Sequence, residues 1–194
     1  MRLPAIFALL SALAFPAFSA DLEIRYSALE RIVAAQMFTQ EGRRYVKGDR
    51  SAKCEFAYLE APKLSASAGR LQVAARFSGR SAMDLFSRCV GMGDSFPVTI
   101  TAVPVPRQGA IAFQDAQVST PKDSYYIRRV RSAMARTFDK DFRIEIRDQA
   151  RRLLEQPASP GSVYQQELKD LDLNAIRVTQ DALVLVVDFK LVVK

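Results

Sequence analysis

Leu71-Gln72-Val73-Ala74-Ala75-Arg76-Phe77 decides the fold class. Apolar Leu71, Val73, Ala75 and Phe77 take every second position, with Gln72, Ala74 and Arg76 between them. A period of two puts alternate side chains on opposite faces of a strand. One face is made for a core and the other for water, which is the pattern of an antiparallel sheet. Upstream, Cys54, Phe56 and Tyr58 alternate with Glu55 and Ala57, and Leu64-Ser65-Ala66 resumes beyond Pro62. Ala68-Gly69 reads as a hairpin tip. Downstream, Phe96, Val98 and Ile100 alternate with Thr99 and Thr101, Arg107-Gln108-Gly109 makes another turn, and Ile111 and Phe113 return. Gln114-Asp115 shifts the phase before Ala116 and Val118, which predicts a bulge. Between Ser81 and Cys89 the pattern reads as a short helix or an irregular edge. The stretch from Arg43 to Val118 is a meander with one apolar face.

Helical periods flank the meander. After a short strand at Leu22–Tyr26, Ser27-Ala28-Leu29-Glu30 reads as a capping box, with Ser27 as N-cap and Glu30 reaching back. Leu29, Ile32, Val33 and Met37 then share one stripe, and the helix ends before Gln40-Glu41-Gly42. A second helix starts at Asp123 or Ser124 and aligns Ile127, Val130, Met134 and Phe138, with Arg128, Arg129 and Arg136 opposite or on the flank. After a break at Asp139-Lys140-Asp141, a further helical piece turns Ala150, Leu153 and Leu154 inward, and Pro157 to Gly161 is a loop. Strand pattern resumes with Leu171, Leu173, Ile176 and Val178, turns at Gln180-Asp181, and continues through Leu183–Val187, which is apolar on both faces. A strand of that kind needs cover on each side, and the striped helices supply it. The fold class is α+β.

The first residues are not part of that fold. Arg2, the apolar run Leu3–Phe15 and the small residues of Pro16-Ala17-Phe18-Ser19-Ala20 are laid out as a secretory signal peptide. Cleavage is expected after Ser19, or after Ala20, so that residues 1–19 (or 1–20) are removed and 21–194 form a single domain. An uncleaved anchor is the competing reading, but the run is shorter than the ~18 apolar residues a spanning helix needs. No cysteine stands at the cut, so no lipid is attached there. The expected product is soluble in the periplasm or secreted.

Export bears on the rest of the composition. The formal net charge of +7 drops to +6 without Arg2. A basic balance suits nucleic acid or anionic surfaces, and export removes nucleic acid, leaving lipid headgroups or lipopolysaccharide phosphates. Ten of the basic residues fall between Lys122 and Glu155 against six acids, which reads as a headgroup contact or as a solvated outer face. Cys54 and Cys89 are the only cysteines, and in an oxidising compartment a lone pair reads as one disulfide; two separate buried thiols are the alternative.

No histidine is present, which removes the commonest general base and metal ligand together. Gly93-Asp94-Ser95-Phe96 has the look of a lipase-like block, but its serine has no histidine to take the proton, and a turn is the better reading. Cys89-Val90-Gly91-Met92-Gly93 lacks the helix and lysine of a phosphate loop. The expectation is no enzyme, no cofactor and no metal.

Tyr26-Ser27-Ala28-Leu29-Glu30, the meander containing Gly69-Arg70-Leu71-Gln72-Val73, the long second helix and the terminal strand pair Ile176 to Val193 come in an order that resembles the YceB-like lipoproteins, small periplasmic proteins of bacteria. These are similar to the tubular lipid-binding (TULIP-like) superfamily. The resemblance covers the whole chain after the leader and carries no site motif. It implies a curved antiparallel sheet wrapped around a long helix, with a second, N-terminal helix and an elongated apolar groove for an acyl chain. Groove-lining positions would be Leu29, Val33, Met37, Ile127, Val130, Met134, Leu185 and Phe189, with Arg128, Arg129 and Arg136 near an anionic headgroup. The function expected is binding of a lipid or other hydrophobic small molecule. The alternative is a non-catalytic envelope module with a filled core, whose basic face docks an anionic membrane surface or an envelope protein.

Overall fold

The computed structural model describes residues 19–86, 88–155 and 164–194. Residues 1–18 of the expected leader, and the expected loop from Pro157 to Gly161, lie outside them.

Among the described residues there are nine strands and three helices, in the order β1 (Ala20–Arg25), α1 (Tyr26–Met37), β2 (Arg43–Lys47), β3 (Glu55–Ser67), β4 (Arg70–Leu85), β5 (Arg88–Arg107), β6 (Ala110–Ser119), α2 (Tyr125–Asp141), β7 (Ile144–Glu145), α3 (Arg147–Leu154), β8 (Gln166–Val178) and β9 (Ala182–Val193). Strands β2 to β7 form one antiparallel sheet in chain order, the expected meander. β1, β9 and β8 form a second sheet of three. The large sheet is curled into a half-barrel. Two bulges contribute to the bend, since an extra residue on one strand kinks it and raises its twist. One falls in β3 between Glu60 and Lys63, around Ala61 with φ +52°. The other falls at Gln114-Asp115, where Asp115 has φ +55°, as the phase shift predicts. The tips at Ala68-Gly69 and Gln108-Gly109 carry positive φ at both residues, which is the tight hairpin turn that matches strand twist.

One core joins the parts. Phe77 and Phe96 meet at 4.9 Å across the β4–β5 pair, and Phe113 of β6 packs on Phe138 of α2 and on Phe142. Leu29 and Val33 of α1, Ile127 and Met134 of α2, and Leu183, Leu185 and Val187 of β9 belong to the same cluster. β9 is covered on one face, where Leu183, Leu185 and Val187 are buried, while Val184 and Val186 on the other face are only half-buried, so the full cover expected on both sides is not found.

Four local readings are corrected. The capping box does not form, because α1 begins two residues earlier, straight off β1, with Arg25 at the N-cap and Tyr26 N–H donating to Asp181 O. Ser27 is then inside the first turn, and Glu30 instead accepts from Leu64 N–H at 2.8 Å and pairs with Lys63 beside the β3 bulge. Helix α3 does not point Leu153 inward; that side chain is 72% exposed, and Ala150 and Leu154 are only half-buried. Arg147 fixes the start of α3 through a hydrogen bond to Leu171 O at 2.8 Å, and the eight-residue helix lies at an edge. Gly93-Asp94-Ser95-Phe96 is no turn; it runs within β5, in register with Phe77–Arg80. Ser81–Cys89 is neither helix nor irregular edge. β4 and β5 stay paired without a break from Leu71↔Ala102 to Leu85↔Arg88.

Two expectations hold. Ser124 caps α2, its hydroxyl accepting from Ile127 N–H at 3.2 Å. Cys54 and Cys89 form a disulfide, which excludes the separate-thiol alternative. Closing a loop of that length stabilises the fold by roughly 3.5–4 kcal/mol on chain-entropy grounds. Disulfides persist in oxidising compartments. Among the described residues no helix is long and apolar enough to cross a membrane.

Candidate functional site

Helix α2 has two faces with different surroundings. Ile127, Met134 and Phe138 go into the core, because spacings of four and seven put them on one stripe. Its neighbouring face, carrying Val130, Ala133 and Arg136, looks across a groove at β2, β3 and β4. The groove holds about 390 Å³, within the range typical of small-molecule sites, roughly 300–1,000 Å³. Its floor and walls are Val46, Phe56, Ala57, Phe77, Val130, Ala133 and Met134, and Lys47, Arg80, Arg129 and Arg136 stand among them. A hollow of about 330 Å³ adjoins it, sharing Ser81 and Tyr126 and reaching Met92, Asp94 and Ser124. Together they run beside α2 toward the far end of the β4–β5 hairpin.

The charges are arranged for an anion. Arg129 donates to the Tyr125 hydroxyl at 3.3 Å and lies over that ring at 5.8 Å, so it is oriented without an acidic partner. Arg136 and Arg80 make no ion pair among the described residues, whereas Lys47 is paired with Glu55. The anionic group at this end is Asp94, which pairs with Lys122 at 3.6 Å. An apolar trough with uncompensated arginines suits an amphipathic guest with a negative end.

The expected central lining is packed. Leu29, Val33, Met37, Ile127, Met134 and Leu185 are at most 5% exposed and pack in the core cluster. Between α2, β2 and β5 a hollow of about 20 Å³ remains, room for about one water. Of the expected lining positions, Val130 and Met134 border the groove, and Phe189 lies on β9 with half its surface exposed. Of the expected headgroup residues, Arg129 and Arg136 border it, while Arg128 is paired with Asp123 at 3.2 Å. A separate hollow of about 470 Å³ lies between β1, α1 and α3, lined by Leu22, Ile24, Ile32, Ile146, Ala150 and Leu153.

Sequence reasoning missed Phe56, Phe77, Arg80 and Tyr126. Phe77 carried a signal, since it ends the apolar face of the deciding strand, but its exposed rim neighbours follow only from how far α2 reaches. Among the described residues no group of three or more His, Cys, Asp or Glu is close enough to hold a metal ion. Tyr26 is the ionisable side chain nearest the core; burial, and then the negative charge of Asp181, raise its pKa, and its hydroxyl donates to Thr179 O at 2.7 Å.

The chain matches no family model, no curated protein and no solved structure. Its function has to be read from its own groove.

Proposed function

We propose that this protein binds a lipid or other amphipathic hydrophobic molecule in the groove beside α2, with the sheet curling around that helix as in tubular lipid-binding proteins. The observation that carries the reading is one trough in which Phe56, Phe77, Val130 and Met134 meet Arg80, Arg129 and Arg136, which make no ion pair among the described residues. The acyl part is held by removal from water, about 0.8 kcal/mol per methylene, and the arginines take a carboxylate or phosphate. This binding places the ligand on the flank of α2 rather than through the centre. The reading includes export to the periplasm or beyond without a lipid anchor, where the Cys54–Cys89 bond is maintained.

The burial of Leu29, Val33, Met37, Ile127 and Leu185 in the core favours a second reading, a non-catalytic envelope module that docks through its basic face. The two separate in one experiment. Protein purified without detergent is taken by native mass spectrometry and its organic extract is analysed. A bound lipid in near one-to-one ratio supports the groove. Protein that is empty, and that binds no long-chain fluorescent fatty acid, leaves docking alone.

A further inference from the structure

We infer that the far end of the β4–β5 hairpin is a wedge that inserts into an anionic lipid bilayer. Beyond Ser81 on β4 and Thr99 on β5 the two strands have lost their partners β3 and β6, apart from one contact of Ala82 N–H with Cys54 O. They continue alone as a ribbon to Leu85↔Arg88. Its end is apolar and bare: Phe86 is 96% exposed, Met92 77% and Met83 71%, with Leu85 and Val90 about half exposed. Large apolar side chains gathered on one projection mark a contact site rather than chance exposure.

Three features make the ribbon a built device. A lone two-stranded ribbon is marginal in water, and here the Cys54–Cys89 disulfide ties it, one residue pair from its tip, to the residue just before β3. Gly91 lets the strands close up, since a Cβ there would sit 2.3 Å from Ser81 O. At the turn, Phe86 holds φ +53°, a conformation that the other two hairpin tips give to an Ala-Gly and a Gln-Gly pair. An aromatic side chain in that conformation is strained and gains no burial in return, and strain kept without local benefit points to function.

Charge selects the occupant. Lys53 beside the staple, Arg80 and Arg88 surround the apolar end and make no ion pair among the described residues; Asp84 is the single acid on the ribbon from Arg80 to Gly93. Basic side chains around an apolar end suit anionic headgroups above an acyl layer. The wedge leads into the hollow at Met92 and Tyr126 and so into the groove, a route by which a bilayer lipid reaches it; this last step rests on the proposed ligand binding, and the insertion itself does not.

The test is co-sedimentation of the full, oxidised protein with vesicles of phosphatidylcholine containing one third phosphatidylglycerol, and with phosphatidylcholine alone. Binding is expected to the first and to fall at least about tenfold in Leu85→Ser/Phe86→Ser. It should fall roughly fivefold for each of Lys53→Gln and Arg88→Gln. Tryptophan fluorescence of Phe86→Trp should shift to the blue on vesicle addition. Fluorescent fatty-acid binding by Leu85→Ser/Phe86→Ser, measured without vesicles, should equal that of the native chain. Equal vesicle binding by native and Leu85→Ser/Phe86→Ser protein, or an unshifted emission from Phe86→Trp, overturns the insertion whatever the probe does. So does a loss of self-association in the double variant in place of a loss of vesicle binding. Loss of probe binding in the native chain overturns only the groove.

Discussion

From Leu71 to Phe77 and from Phe96 to Ala102, strands β4 and β5 bury every second side chain. From Met83 to Met92 the same two strands, in the same register, leave theirs bare. Alternation is equal in the two halves, so periodicity sets which face a side chain takes and not whether it is covered. Cover comes from the opposite layer. Phe77 and Phe96 lie in the cluster that α1, α2 and β9 complete, and past Tyr126 no described helix stands over the ribbon. One half of the hairpin is therefore held by the hydrophobic effect, and the other by a covalent staple and backbone pairing.

The sharpest break of this comparison is a pair of truncations. Phe77→Ala opens a cavity beside Phe96 and should cost about 3–5 kcal/mol, whereas Phe86→Ala should change stability by less than about 0.5 kcal/mol. Urea unfolding of both settles it; equal effects would mean that the ribbon packs on the body. Removing the staple comes next. Cys54→Ser/Cys89→Ser should lose roughly 3.5–4 kcal/mol on chain-entropy grounds, and hydrogen exchange should quicken in Ala82–Met92 before it does in Leu71–Phe77.

Smaller effects refine the contrast between turns. At Gly69, φ is +74° and the space where a Cβ would stand is open, so Gly69→Ala should cost about 1 kcal/mol in backbone strain alone. Phe86→Gly should go the other way, stabilising by about 1 kcal/mol while vesicle binding falls. Thermal midpoints of the two variants would show opposite shifts.

The smallest effect is electrostatic and lies on the second sheet. Hydrogen bonds from Lys169 and then Lys194 hold the Glu167 carboxyl well down, at about 2 against an ordinary 4.5. A depressed folded value gives stability that is complete above about pH 4.5 and is lost as the pH falls through about 2. Glu167→Gln should accordingly be less stable than the native chain at neutral pH and equal to it below pH 2, in acid titrations followed by circular dichroism.

The meander, its Ala68-Gly69 and Gln108-Gly109 tips, the Asp115 bulge and the Ser124 cap were legible in the sequence because each depends on a few adjacent residues. The ribbon was misread as a short helix or an irregular edge. Met83 and Leu85 keep the odd parity of Leu71–Phe77, and Val90 and Met92 the even parity of Phe96–Ile100, but Ser78-Gly79 and Gly91–Ser95 interrupt the apolar signal. The capping box failed because Ser27 and Glu30 fit the pattern while the helix start was fixed from afar, by β1 joining β9 at Arg25↔Ala182. The groove was half visible. Periodicity finds Val130 and Met134 on α2, yet the step from core to groove wall depends on how the helix sits on β3 and β4, and Arg80 enters the site only through that placement.

The central claim is that the trough beside α2 takes an apolar chain. Titration of a long-chain fluorescent fatty acid into the native protein and into Ala133→Phe tests it most directly, because Ala133 faces the groove, is exposed, and supports no core contact. The native chain should bind saturably at one to one, and Ala133→Phe at least about tenfold more weakly with an unchanged urea midpoint. Equal binding by the two proteins, or none by either, would contradict the claim.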